Sequence, residues 1–190
     1  MSTSAMHVIR PSGVVPTPWA NGLGTTRELA RDDNGAWRLS LADIGTEAEF
    51  SSLPGIDRLL IVLSGSVALR MDGVERELGP GDFVEFAGEA AVSGRALTIG
   101  ATDVNLMVSR DAVRYEFWIE GPGRRVALPT LPDEFVVLLG DGRTAAGEQL
   151  ERGTVLRGGA ASPNAASVVF TEDIRICRVR LSASAESVQR

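Results

Sequence analysis

The residues of this 190-residue chain that could carry chemistry lie mainly between positions 21 and 58. Arg38 and Arg58 offer guanidinium groups, and a guanidinium can bind a carboxylate through two parallel hydrogen bonds. Asn21 and Ser40 add short polar side chains, and Glu28 adds a carboxylate. These five residues are the candidates for a site that binds a small anionic metabolite.

Two of these residues each have a second interpretation. Asn21 stands in a glycine-bracketed loop, where backbone N–H groups can approach a ligand, but the same loop is typical of an ordinary turn. Glu28 either contacts a ligand or fixes a neighbouring guanidinium, and we favour the second role. If Glu28 pairs with Arg38 or Arg58, the other arginine is left for an anionic ligand.

Strand periodicity determines which of these side chains share a face. The stretch 37–42 alternates apolar and polar residues, which predicts a β-strand with two distinct faces. The apolar face, beginning at Trp37, is expected to pack in the core. The opposite face, with Arg38 and Ser40, lies either in solvent or along a pocket wall.

The elements that must position these residues are predicted to be β-strands. The 21 glycines and nine prolines separate short alternating runs, a spacing typical of a sandwich or barrel, and no amphipathic helix stands out. Asp72-Gly73 predicts a two-residue hairpin turn. Segment 62–84 resembles segment 137–156, which indicates either two related barrels or chance similarity between hairpins. We expect halves 1–112 and 113–190.

Composition excludes some functions. A net charge of −6 disfavours binding to nucleic acid or an anionic membrane. Cys177, the single cysteine, cannot form an internal disulfide, which suits a reducing cytoplasm; a buried apolar role is expected for it. With neither a signal pattern nor a spanning apolar run, the chain is expected to be soluble and cytoplasmic. A homodimer is compatible with the sequence, which does not fix the oligomeric state.

The segment Arg58–Phe86 resembles the first hairpin of the cupins, including the Pro80-Gly81-Asp82 turn. With Gly65 on the motif glycine, Arg58 takes the place of the metal-ligating glutamate. The histidine positions then fall within 51–54 and near Val92, where no metal ligand stands. We therefore expect neither metal nor cofactor, and expect Arg58 to point into the first barrel.

Three further blocks resemble the HutD/Ves family. They are Pro18-Trp19-Ala20-Asn21-Gly22-Leu23-Gly24-Thr25-Thr26-Arg27-Glu28-Leu29, Trp37-Arg38-Leu39-Ser40-Leu41-Ala42-Asp43-Ile44 and Phe50-Ser51-Ser52-Leu53-Pro54-Gly55-Ile56-Asp57-Arg58. Leu23 and Ala20 depart from many relatives, which have glycine and lysine there. The blocks and the hairpin cover most of residues 16–108, so the second half is assigned from general character alone.

The resemblance implies a bicupin: an all-β chain of two cupin-like jelly-roll barrels, the second degenerate. It also implies a bacterial regulator that restrains histidine utilisation and senses N-formylglutamate or a related intermediate, or a stress-related role. It favours the pocket-wall position for Arg38 and Ser40. Two alternatives stay open: a metal-free isomerase or lyase using Glu28 or Asp43 as acid–base group, and a purely structural interaction module.

Overall fold

The computed structural model describes residues 7–19, 22–45, 47–157 and 167–184. These residues contain no α-helix and one 3₁₀ turn, Pro11–Gly13, which confirms the predicted all-β class. They also contain no helix long and apolar enough to cross a membrane. The strands are β1 (His7–Ile9), β2 (Thr17–Pro18), β3 (Gly24–Arg31), β4 (Trp37–Ile44), β5 (Ala48–Glu49), β6 (Ile56–Ser64), β7 (Val67–Met71), β8 (Val74–Leu78), β9 (Phe83–Ala87), β10 (Val92–Ala96), β11 (Thr102–Ser109), β12 (Val113–Ala127), β13 (Glu134–Leu138), β14 (Gly142–Arg143), β15 (Gln149–Leu150), β16 (Val155–Arg157) and β17 (Ser167–Ala183).

The chain folds as two compact units. One, here called the pocket unit, comprises the described residues of Val14–Arg114 and Ala183–Arg190. The other, the C-terminal unit, comprises those of Met1–Gly13 and Tyr115–Ser182. Each unit therefore includes a short segment from the far end of the chain. The predicted domain halves, 1–112 and 113–190, stay a prediction.

Two antiparallel sheets form the pocket unit. One has the strand order β2-β3-β4-β11-β6-β9 and the other the order β5-β10-β7-β8. Leu60 and Val62 of the larger sheet share an apolar cluster with Val67 and Leu69 of the smaller one. Among the described residues neither sheet closes on itself. The expected barrel is therefore an open two-sheet sandwich, because its edge strands stay unpaired.

The Asp72-Gly73 turn confirms the predicted hairpin. Both residues have positive φ, 49° and 79°, and Met71 pairs directly with Val74. A two-residue turn with positive φ at both positions matches the right-handed twist of the strands it joins. This turn fixes the register of β7 against β8, so Leu69 faces the core beside Val67.

The C-terminal unit has one five-stranded sheet, in the order β1-β16-β13-β17-β12, and a two-stranded ribbon of β14 and β15. Its core lies around Val136, Leu156 and Phe170, each 2% exposed or less. Cys177 is buried in β17, as expected, and burial raises the pKa of its thiol to about 12. A thiol with so high a pKa stays protonated at neutral pH and is a poor nucleophile.

The two similar sequence segments share a local backbone structure. In the pocket unit Val62 N–H donates to the Asp82 carbonyl at 2.9 Å, and Gly81 N–H donates to the Val62 carbonyl at 2.8 Å. In the C-terminal unit Leu138 makes the same pair of bonds, with Thr154 and Gly153, at 3.0 and 2.8 Å. In both places a strand, a hairpin and a returning strand meet in this way.

Candidate small-molecule binding site

A cavity of about 550 Å³ opens between the two sheets of the pocket unit. Ligand pockets typically measure about 300–1,000 Å³, so a metabolite-sized molecule fits. Strands β3, β4, β6 and β11 of the larger sheet line one side. Strand β5, the segment that follows it and Gly94 of β10 line the other.

The polar face of β4 lies along this cavity, as the pocket-wall interpretation predicts. Arg38, Ser40 and Ala42 line it. Trp37 and Leu39 point to the opposite face and are 5% and 1% exposed. The period-two pattern of this strand is therefore the feature that places Arg38 and Ser40 in the wall.

Strand pairing arranges the wall in three rows that run across the larger sheet. In the first row Met107 of β11 pairs with Arg38 of β4 and Arg58 of β6. In the second row Asn105 pairs with Ser40, which in turn pairs with Glu28 of β3. The third row is formed by Asp103, Ala42 and Thr26. Neighbouring rows are two residues, or about 7 Å, apart along the strands.

Arg58 provides the more deeply buried of the two positive charges in the first row. Its side chain lines the cavity, and the residue is only 4% exposed. The guanidinium carbon lies 4.7 Å from the centre of the Phe50 ring and 5.0 Å from that of Phe86, and the two rings stand perpendicular to each other. We call this arrangement the aromatic corner. It supplies cation–π contacts that partly replace lost hydration.

The Arg58 guanidinium remains charged at neutral pH. Burial is the main reason why its pKa is lowered to about 10. The negative charge of Asp103 opposes this decrease, and the positive charge of Arg38 adds to it. Its Nε donates to Oδ1 of Asn105 at 3.4 Å, and within the described part of the chain no carboxylate forms an ion pair with it. A buried cation without a paired anion is costly, which makes this group a natural anion receptor.

Gly94 makes room for the aromatic corner. A Cβ built at this position would lie 2.9 Å from Cε2 of Phe50 and 2.8 Å from Cδ2 of Leu69. Real Cβ atoms do not approach other carbons so closely, so any side chain here would displace the Phe50 ring. The residue thus controls the position of a ring that contacts Arg58.

Asp103 is a cavity residue that the sequence analysis missed. It lines the third row, is 1% exposed, and its Oδ1 has no hydrogen-bond partner among the residues that the structure describes. Burial raises the pKa of its carboxyl to about 7, Arg58 opposes that rise and Asp43 adds to it. The alternation of Asp103, Asn105 and Met107 within an apolar strand was the signal that could have revealed it.

Glu28 lines the cavity and pairs with a guanidinium, but not with that of either cavity arginine. Its Oε1 lies 3.4 Å from Nε of Arg31, so the guanidinium that it pairs with is that of Arg31, not of Arg38 or Arg58. Arg38 instead donates to Sδ of Met107 at 3.2 Å. Both cavity arginines are therefore left for an anion.

The remaining candidate residues are Asp43, Trp19 and Asn21. Asp43 belongs to the other face of β4, where it accepts hydrogen bonds from Thr25 and Arg27, each at 2.6 Å. Trp19 lines the cavity, and its Nε1 donates to Thr26 at 2.7 Å. Asn21 lies outside the described residues. Of the five predicted binding residues, Glu28, Arg38, Ser40 and Arg58 thus surround one cavity.

The cupin ligand positions carry groups that suit an organic anion better than a metal. Ser51, Leu53 and Arg58 line the cavity where metal-binding cupins have histidines and glutamate. In ranges 7–19, 22–45, 47–157 and 167–184, no group of three or more histidine, cysteine or acidic side chains is placed so that it could hold a metal ion. A cation at position 58 repels a metal ion.

We predict that the purified protein holds no stoichiometric transition metal, because this wall offers an arginine in place of a ligand. Elemental analysis after dialysis is the measurement, with a metal-binding cupin purified in parallel as the control. About one zinc, iron or manganese ion retained per chain would contradict the prediction.

Comparison with known proteins identifies relatives of the chain. The HutD family model matches residues 12–170. A Pseudomonas putida protein, described as uncharacterised and in the hutC 3′ region, is 36% identical over 129 residues, 64% of this chain and 68% of that protein. The protein Ves of Cronobacter sakazakii is 36% identical over 105 residues, 50% of this chain, and the match spans 56% of Ves.

Solved structures agree with these matches. HutD from Pseudomonas fluorescens, obtained in a formate condition, has a TM-score of 0.76 and 31% identity, covering 95% of this chain and 100% of that one. A cupin 2 conserved barrel domain protein from Leptotrichia buccalis has a TM-score of 0.60 at 12% identity, covering 93% and 96%, which shows that the fold is cupin-like. With its family match extending over most of its length, this chain belongs to the HutD family, which is linked to histidine utilisation.

Proposed function

We propose that the pocket unit binds a small carboxylated metabolite without a metal, and that the chain is a regulator linked to histidine utilisation. The observation that carries this proposal is Arg58, a buried guanidinium that lines a metabolite-sized cavity and has no ion-pair partner among the described residues. Arg38 adds a second positive charge in the same row. A ligand carboxylate would compensate both charges through hydrogen bonds.

The relatives support the choice of ligand class. The Pseudomonas putida relative lies in the hutC 3′ region, and the Pseudomonas fluorescens HutD structure was obtained in a formate condition. N-formylglutamate combines two carboxylates with a formyl group, and we propose it as the ligand to test first. Asn21 and Ser40 stay proposed polar contacts.

Calorimetric titration of the wild-type protein tests the proposal. We expect N-formylglutamate to bind with a dissociation constant below about 1 mM, which corresponds to about 4 kcal/mol, because charge-assisted contacts with both Arg38 and Arg58 contribute about 1.5–3 kcal/mol each. N-formylglutamine, which carries an amide in place of the side-chain carboxylate, is the matched control and should bind more weakly. Equal binding of both would show that the site uses only the α-carboxylate, which both ligands carry, and binding of neither would contradict the proposal.

Two further features belong to this proposal. The strand–hairpin–strand structure shared by the two units supports a bicupin origin with a degenerate second half. The net charge of −6 and the single buried cysteine support a cytoplasmic protein with no nucleic-acid or membrane partner, for which a homodimer is the proposed assembly.

An isomerase or lyase is the second candidate, and one observation favours it. Burial raises the pKa of Asp103 to about 7, which is the range in which a carboxyl can both accept and donate a proton. Asp103, and not Asp43, would then carry the acid–base chemistry beside the anchoring arginines. Following the titrated ligand by NMR separates the candidates, because a binding protein returns it unchanged.

A further inference from the structure

Asp103 presents a polar group that the described chain leaves without a partner. The residue lines the cavity, is 1% exposed, and its Oδ1 makes no hydrogen bond. Its cross-strand neighbours are Ala42 on β4 and Val62 on β6, and neither side chain can donate one. A buried carboxyl without a donor is costly in its ionised form, so it calls for a donor from another source.

The charged side chains around Asp103 do not provide that donor. Arg58 attracts it electrostatically but donates its Nε to Asn105, and no ion pair joins the two among the described residues. Arg38 lies in the first row, two rows from Asp103. Glu28 and Glu49, which also line the cavity, and Asp43 on the reverse face of the sheet are themselves acidic.

The cavity wall therefore has two chemically different ends. The cationic end is formed by Arg38 and Arg58, and the acidic end by Asp103. Nε of Arg58 contacts Asn105 of the second row, and the second row lies one row from Asp103. About one row, or about 7 Å, then separates the two ends, which is the length of a small amino-acid derivative.

We propose that Asp103 binds a nitrogen donor of the ligand, so that the site selects small molecules carrying both a carboxylate and an N–H group. This inference rests on the proposed function, because the arginines must hold the carboxylate. Above pH 7, where Asp103 is mainly ionised, its carboxylate only accepts hydrogen bonds, so an amide N–H or an ammonium group suits it and a second carboxylate does not. The ligand class is thus amino acids or their N-acyl derivatives, and plain dicarboxylates are disfavoured.

The test compares two ligands on two proteins, and calorimetry measures each of the four affinities. The ligands are N-formylglutamate and N-formyl-N-methylglutamate, which differ by the N–H group. The proteins are the wild type and Asp103→Leu, which has a side chain of similar size and no hydrogen-bonding atom. Circular dichroism checks that the variant folds, which we expect because it loses a buried polar group without a partner.

We expect the wild type to bind the N–H ligand about ten- to a hundred-fold more tightly than its N-methyl analogue. Asp103→Leu should bind the two ligands with equal affinity. If the N-methyl analogue binds more weakly only because its methyl group clashes with the cavity, Asp103→Leu should still prefer the N–H ligand. Such a preference in the variant would overturn the inference. A wild type without any preference would overturn it as well.

Glutarate, a dicarboxylate without nitrogen, separates this inference from the proposed function. If the wild type binds glutarate, N-formylglutamate and the N-methyl analogue equally, the carboxylate site exists and only the role of Asp103 is wrong. If none of the three binds at millimolar concentration, the proposed carboxylate site is wrong, and the inference with it.

Discussion

Arg58→Met is expected to weaken binding of N-formylglutamate about ten- to a hundred-fold while leaving the fold intact. The charge-assisted contact with the ligand carboxylate is lost, whereas the methionine still packs against Phe50 and Phe86. Because Arg58 has no ion-pair partner among the described residues, its replacement leaves no buried carboxylate without its counter-charge and removes the cost of burying a cation. Calorimetry measures the affinity, and thermal unfolding verifies that the protein is folded.

Arg58→Lys distinguishes geometry from charge alone. A lysine keeps the positive charge but loses the planar, two-pronged donor, so we expect it to restore little of the affinity. Arg70→Met is the matched control, because Arg70 is an exposed arginine whose guanidinium pairs with Glu75 outside the cavity. Wild-type affinity in both Arg58 variants would rule out this account of the site.

Asp103→Asn is expected to stabilise the protein increasingly as the pH rises from 4 to 8. Burial raises the pKa of Asp103 from 3.8 to about 7, against the attraction of Arg58 and with Asp43 adding to the rise. Between these values the folded state holds a proton that the unfolded state has released. The free energy of unfolding therefore falls with rising pH, by up to about 4 kcal/mol above pH 7.

Urea unfolding of wild type and variant at pH 4, 6 and 8 measures this difference. The asparagine does not titrate, so its advantage over the wild type should be absent near pH 4 and largest at pH 8. Asp111→Asn, at an exposed turn position, is the control and should follow the wild type. An advantage that is independent of pH would show that the Asp103 carboxyl does not titrate in this range.

Local patterns in the sequence predicted much of the site. Alternation in β4 identified the face that carries Arg38 and Ser40, and the cupin register placed Arg58 in the cavity wall. Both predictions depend only on period two and on motif spacing. They succeed because a strand must send alternate side chains to opposite faces of a sheet.

Features that depend on pairing between strands far apart in the sequence were not predicted. The partner of Glu28 is Arg31 because the pairing of β3 with β4 shifts register between Glu28 and Ala30. Asp103 enters the wall because β11 lies between β4 and β6, which are far from it in sequence. The open edges of the two sheets likewise follow from strand order, which a single sequence does not encode in any local pattern.

The missing side chain at Gly94 makes the geometry around Arg58 depend on a residue that has no functional group. A mutation to alanine adds one methyl group and no charge, yet the methyl would displace Phe50 from its place beside Arg58. Affinity would then change although every charged group survives. A mutational search for the determinants of recognition that is restricted to charged residues would therefore overlook position 94.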